Sequence, residues 1–171
     1  RLDLATARRE HYPFSGALPV VDSGTIRDDL FRRDFTINAM AMTPDGALID
    51  PYNGRADLEA RVLRHVSEAF AEDPLRVLRT ARFAARLHRF GFVIAPQTMI
   101  LMRTIVQSGE LSYLAAERIW VETARALVER HASPYFATLT DCGAWQYLVR
   151  DLQAPASNGG FICLDAALEE S

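Results

Sequence analysis

Polar and apolar residues change period several times along the chain, and each change marks an element. Leu75, Leu78, Phe83 and Leu87, with the small Ala81, Ala84 and Ala85 between them, recur at helical spacing. Asp73 and Pro74 offer an N-cap and a first-turn proline and Gly91 a stop, so a helix is predicted from Asp73-Pro74 to about Phe90. Further helices are predicted from Pro96 to about Gln107, where Ser108-Gly109 breaks the pattern, over residues 116–130, and from Pro134 to near Cys142-Gly143. The first third reads differently. Residues 1–8 begin with alternation and predict a short strand with Asp3 and Thr6 on opposite faces, and residues 11–24 carry Pro, Gly and Ser without a period and read as a loop. Thr25 with Asp28 makes an acidic version of a capping box and predicts a short helix. The turn Thr43-Pro44-Asp45-Gly46 between two apolar runs predicts a hairpin, and Asp50-Pro51-Tyr52-Asn53-Gly54 breaks the chain again before a helix over 55–63. Strands first and helices after predict an α+β fold.

Composition narrows the class. Of 171 residues 49% are hydrophobic, and the mean hydropathy of −0.03 is that of a globular chain with room for one or two small cores. No apolar run reaches the roughly 18 residues of a membrane span and no signal-peptide layout opens the chain, so no membrane partner and a cytoplasmic location are expected. Cys142 and Cys163 lack metal-binding spacing and read as reduced thiols. The net charge of −3 argues against a uniformly basic nucleic-acid binder, yet residues 61–103 hold eight arginines against three acids, a local +5. Every basic side chain is Arg.

One stretch does not fit a simple amphipathic pattern. In Asp28-Asp29-Leu30-Phe31-Arg32-Arg33-Asp34-Phe35-Thr36-Ile37-Asn38-Ala39-Met40-Ala41, adjacent arginines, an aspartate and an asparagine lie in an otherwise apolar run. Burying such groups is costly unless they serve one another or a ligand. Guanidinium forks match phosphate oxygens, and Asp accepts from ribose hydroxyls, so the set suits an anion that also carries hydroxyls. A surface ion pair at a helix start is the plainer alternative.

The run from Arg32 to Ala41 resembles the nucleotide-sugar motif of the class II tRNA nucleotidyltransferase and bacterial poly(A) polymerase family. Asp50-Pro51-Tyr52-Asn53-Gly54 and Glu72-Asp73-Pro74-Leu75-Arg76-Val77-Leu78-Arg79 follow in the family's order, and the resemblance covers roughly residues 1–150. It implies the C-terminal part of a polymerase-β-like nucleotidyltransferase head over residues 1–50, an all-helical neck over 51–150, and a linker or divergent tail over 151–171. The activity it implies is transfer of nucleotides from CTP and ATP to the 3′ end of tRNA with Mg²⁺. Asp3 matches the family's third acidic position and is the candidate catalytic residue. The metal-binding Asp-x-Asp pair is expected upstream of Arg1, so the chain is expected to be a truncated piece that does not catalyse alone.

Arg32, Arg33, Asp34 and Asn38 are then expected to hold triphosphate and ribose. Asp73 and Arg76, three apart at a helix start, share a face. Cytosine and adenine each present an amino donor beside a bare ring nitrogen, so a carboxylate and a guanidinium there would favour them over uracil and guanine. The resemblance implies the same role for this pair, with Arg79 adding to the base template or to the phosphate contacts. Arg76 is misplaced for a cation, because the first turn of a helix carries positive partial charge. The cluster at 50–54 is expected to act as a joint between head and neck, and Glu117-Arg118-Ile119-Trp120-Val121-Glu122 resembles the family's last motif and reads as core bracing. Poly(A) addition, an inactive nucleotide- or RNA-binding fragment, and a helical interaction domain stand as alternatives. CCA addition is preferred because residues 63–70 lead into the template motif as in tRNA-type members.

Overall fold

The computed structural model describes residues 5–11, 13 and 19–148. Asp3 and the rest of residues 1–4, part of the loop expected over 11–24, Cys163 and the tail lie outside the described residues, and of the described half of the strand expected over 1–8 only Arg8 is in a strand. In chain order the elements are β1 (Arg8–His11), β2 (Val20–Ser23), α1 (Ile26–Phe31), a 3₁₀ turn Thr36–Asn38, β3 (Ala41–Met42), β4 (Leu48–Ile49), α2 (Gly54–Ala60) and β5 (Val62–Leu63). They continue with α3 (Leu75–Leu87), β6 (Val93–Ile94), α4 (Pro96–Gln107), α5 (Ala116–Leu127), α6 (Ser133–Asp141) and α7 (Trp145–Leu148).

Among the described residues three two-stranded pairs form: β1 with β2 antiparallel, β3 with β4 antiparallel, and β5 with β6 parallel. The core sits under α3, which packs against α5 and α6 and buries Val77, Leu78, Ala81 and Ala85 together with Met102, Tyr135 and Leu139. Tyr135 donates or accepts at the Thr123 hydroxyl, 2.8 Å away, and burial pushes its phenol up to about 12. Phe35, from the arginine-bearing stretch, enters the same core against Phe70 and Phe83. The stretch is therefore anchored by its own apolar residue.

Several expected elements form as read. Thr25 accepts from the Asp28 N–H while the Asp28 carboxylate accepts from the Thr25 N–H, a complete capping box on α1. The hairpin closes around Gly46 at φ 89°, α4 has the expected bounds, and Gly143 follows α6 at φ 82°.

Other expectations are corrected. β2 lies inside the span read as a loop, because both strands of the β1–β2 ribbon face solvent and show no buried alternation. The helix expected over 55–63 ends at Ala60, where Arg61 turns left-handed (φ 58°) and Val62 and Leu63 pair with Val93 and Ile94. Tertiary pairing of β-branched and apolar residues overrides local helical pattern there. The span expected to be an all-helical neck thus carries a short parallel pair among its helices. α3 starts at Leu75 with Pro74 as its cap, its last turn tightens to 3₁₀ over His88–Phe90, and α5 stops at Leu127.

The breaker cluster at 50–54 is tightly bonded. Asp50 accepts from the N–H groups of Gly54 and Arg55 at 2.7 and 2.9 Å, and Asn53 sits left-handed at φ 58°. A Cβ on Gly54 would lie 2.1 Å from the Thr36 carbonyl oxygen, so α2 can abut the Thr36–Asn38 turn only with glycine there. Gly54→Ala is expected to cost about 1–3 kcal/mol through this backbone clash, read as a lower urea midpoint with an unchanged m-value.

Candidate functional site: an arginine-lined cleft between two motifs

A cleft of about 470 Å³ opens where the end of α1, the start of α3 and α5 meet, and six arginines against three carboxylates line it. Arg32, Arg33, Asp34, Asn38, Asp73, Arg76 and Arg79 all reach it, so two motifs about forty residues apart in sequence share one wall. Arg8, Glu10, Leu75 and Arg118 complete the lining.

The adjacent arginines come from the C-terminus of α1, and one buried carboxylate holds both. Asp29, 6% exposed, accepts from Arg32 Nη2 at 2.7 Å on one oxygen and from Arg33 Nη2 at 2.9 Å on the other. Each guanidinium adds its Nε to the same oxygen, Arg32 Nη1 donates to Glu10 at 2.9 Å, and Arg33 Nη1 donates to the Asn38 carbonyl at 3.1 Å. Burial works to raise the Asp29 carboxyl, but the bonds and charges of Arg32 and Arg33 outweigh it and hold it below the usual range.

Asp34 is saturated. Its Oδ1 accepts from the Phe35 N–H and from Asn38 Nδ2, both at 3.0 Å, and its Oδ2 accepts from Arg79 Nε at 3.1 Å and Nη2 at 2.6 Å. These bonds occupy roughly every lone-pair direction a carboxylate has. Burial raises this carboxyl too, yet the Arg79 charge, Asn38 and the Phe35 N–H leave it lowered, while Asp34 in turn raises Arg79 against the pull of desolvation. Asp34 thereby aims Asn38 and Arg79 into the cleft.

The side chains of Asp73 and Arg76 share the cleft without bonding each other, although the Arg76 backbone N–H donates to the Asp73 carbonyl at 2.9 Å. Asp73 Oδ1 accepts from the Leu75 N–H at 3.1 Å and Oδ2 from Arg118 Nη2 at 2.8 Å. Arg76, 5% exposed, sends Nη1 to the Ala69 carbonyl at 3.0 Å and Nη2 to the Arg32 carbonyl at 2.6 Å, over the Phe70 ring. That resolves the misplaced cation: its charge is met by carbonyl oxygens from two other segments, one of them in the arginine motif. Further N–H groups of Arg76 and further lone pairs of Asp73 are left for a ligand.

Three participants escaped the sequence reading. Asp29 was given no role of its own, although its spacing of three and four to Arg32 and Arg33 is the signal for a shared pair. Glu122, 3% exposed, accepts from Arg82 Nε at 2.5 Å and lies 3.6 Å from Arg79 Nη1, and Arg118 sits one turn before it on α5. The motif on α5 therefore does more than fill the core: it holds Asp73 and Arg79, the two ends of the motif that opens α3. The long sequence separations, 45 residues from Asp73 to Arg118 and 40 from Arg82 to Glu122, hid these pairs.

Glu10, Asp34 and Asp73 are each committed to arginines, and among the described residues no group of three or more His, Cys, Asp or Glu could hold a metal ion. The described residues do not fit a Mg²⁺ site. No described helix is long and apolar enough to cross a membrane.

A strand-bearing segment followed by packed helices is the fold of a nucleotidyltransferase head with a helical neck, as in the solved structures it superposes on. The chain belongs to the CCA-adding enzyme and poly(A) polymerase family. Its residues 1–64 match the Poly A polymerase head domain, and 91–154 match a domain described as a probable RNA and SrmB-binding site of polymerase A. It is 61% identical over 130 residues to the Multifunctional CCA protein of Acinetobacter baumannii strain AYE, covering 76% of this chain and 32% of that protein. The Multifunctional CCA protein of Teredinibacter turnerae is 51% identical over 156 residues, covering 89% and 38%. Among solved structures, an apo CCA-adding enzyme superposes with a TM-score of 0.80 at 34% identity, over 90% of this chain and 37% of that one. A CCA-adding enzyme bound to CTP gives 0.70 at 33%, over 78% and 32%. The chain spans about a third of the length of the curated relatives it matches. Enzymes of this family generally use divalent metal ions.

Asp29 and Asp34 set a pH dependence. Because their folded-state carboxyls lie below the ordinary value of about 4, their contribution to stability is complete above that pH and is lost as pH falls through the lower folded values. Urea midpoints are expected to drop between about pH 5 and pH 3, and Asp29→Asn to flatten that dependence while lowering the midpoint at neutral pH.

Proposed function

We propose that this chain is the nucleotide-selecting portion of an enzyme that adds CCA to the 3′ end of tRNA, taking CTP and ATP in turn. The observation that carries the reading is the single cleft into which Arg32, Arg33, Asn38 and Arg79 project beside Asp73 and Arg76. Residues 1–50 act as the end of the head and 51–150 as the neck in this reading. Relatives named for CCA synthesis, and the CTP and ATP complexes of similar enzymes, support it.

In the proposed mechanism the triphosphate lies against Arg32 and Arg33, whose shared carboxylate fixes both forks before the ligand arrives and so reduces the ordering cost of binding. Asn38 and Arg79, aimed by Asp34, take the ribose and the inner phosphates. A ribose hydroxyl reaching Asp34 itself would take the place of one Arg79 bond. Asp73 accepts from the base amino group through lone pairs left beside Leu75 and Arg118. Arg76 donates to the bare ring nitrogen from N–H groups not used on Ala69 and Arg32. Mg²⁺ is the divalent ion proposed for the whole enzyme. Asp3 is proposed as a catalytic residue, and a cytoplasmic location belongs to the same proposal.

Calorimetric titration of the full-length protein is expected to show CTP and ATP binding and UTP binding at least about tenfold weaker. Asp73→Ala is expected to shrink that discrimination to a few-fold while metal binding stays. Equal affinity for CTP and UTP in the unmutated protein, or unchanged selectivity in the variant, would remove the template.

A further inference from the structure

A second groove, of about 760 Å³, lies on the other side of Asn38, which lines both it and the nucleotide cleft. Its cationic members are Arg61, Arg86 and Arg89, and no carboxylate lines it. Among the described residues, Arg32, Arg33, Arg79, Arg82 and Arg118 are each paired with an acid, whereas Arg61, Arg86 and Arg89 make no ion pair. Three exposed guanidinium groups are thus gathered with nothing to neutralise them. Arg61 is held there by a left-handed backbone (φ 58°), uncommon for a residue with a side chain, and its Nη1 lies 3.4 Å from where a Cβ on Gly91 would stand. Between the cations the surface is apolar: Phe90 is 47% exposed under the Arg89 guanidinium, 4.5 Å from its ring centroid, and Phe83 lies half-buried alongside.

Unpaired arginines interleaved with exposed aromatic faces suit a flexible polyanion whose units stack, which is the chemistry of single-stranded nucleic acid. We infer that this groove binds the unpaired 3′-terminal strand of the RNA, with phosphates on Arg61, Arg86 and Arg89 and a base on Phe90. The strand's end then approaches the nucleotide cleft past Asn38. The inference rests on the proposed function for the identity of the RNA, and on the groove's own charge and rings for its class.

The test uses the full-length protein and two RNA hairpins, one with an unpaired 3′ tail and one blunt, with binding followed by fluorescence anisotropy across a salt series and CTP affinity measured separately. Arg86→Ala combined with Arg89→Ala is expected to weaken tailed-RNA binding about tenfold and to reduce the salt slope by roughly 1.4, about 0.7 for each lost contact, with CTP affinity unchanged. The double Arg→Lys variant is expected to keep the slope. Phe90→Ala is expected to weaken the tailed hairpin about 5- to 100-fold without changing the slope. Normal tailed-RNA binding by both the double alanine variant and Phe90→Ala overturns the inference, as does an equal loss on the blunt hairpin. If the unmutated protein binds tailed RNA but not CTP, the proposed activity fails and the groove stands on its own variants. If it binds CTP and the groove variants bind RNA normally, the groove alone fails.

Discussion

An ion cannot be buried alone, and this protein meets that constraint by assigning single buried carboxylates to more than one partner. Asp29 holds Arg32 and Arg33, Asp34 holds Arg79 and Asn38, Asp57 holds Arg64 and the Thr36 hydroxyl, and Glu122 holds Arg82 with Arg79 near by. Such hubs are poor evidence of net stability, since a matched apolar set can be equally stable, but removing one member strands a buried charge at a cost of about 3–5 kcal/mol. Their value here is positional. The bonds from Asp34 to Arg79, from Asp73 to Arg118 and from Arg76 to the Arg32 carbonyl tie the strand-bearing segment, α3 and α5 into one frame around the cleft.

That frame explains how a cleft with excess positive charge can be rigid without a ligand. A guanidinium with one edge bonded to a carboxylate has already lost most of its rotamer freedom, and any of its five N–H groups not used within the protein stay available. Arg32 and Arg33 are in this condition through Asp29, and Arg79 through Asp34. The lowered carboxyls of Asp29 and Asp34 are the electrostatic signature of the same arrangement, with neighbouring cations outweighing desolvation.

What could be read from sequence was what local rules decide. The capping box of Thr25 and Asp28, the hairpin around Gly46, and α4 between Pro96 and the break at Ser108-Gly109 depend on residues within a few positions of one another. The gathering of Arg32, Arg33, Asp34, Asn38, Asp73, Arg76 and Arg79 at one cleft was legible only through three motifs in a known order. Nothing local fixes the distance between Asp34 and Arg79. Where tertiary contacts decide, the reading failed: Val62 and Leu63 continue a helical pattern but pair with Val93 and Ile94, and the exposed β1–β2 ribbon gives no alternation. The pairing of Asp73 with Arg118 was out of reach for the same reason, since the spacing of Asp73 to Arg76 supplied an obvious local partner that the fold uses elsewhere.

α3 and the turn that extends it show why one helix can serve both core and surface chemistry. Arg76, Arg79, Arg82, Arg86 and Arg89 step by three or four residues, the spacing that keeps side chains on one side of a helix. Val77, Leu78, Ala81 and Ala85 of the same helix are buried in the core. Along the arginine stripe the environment changes by degrees: Arg76 meets carbonyl oxygens, Arg79 and Arg82 meet carboxylates, and Arg86 and Arg89 meet no acid among the described residues. Burial accounts for the paired half, since an unpartnered buried cation is costly, while the exposed half is solvated and stands bare beside Phe90. The gradient is what a surface needs if its inner cations are to stay fixed around a small triphosphate while its outer ones give up only water to a longer anion.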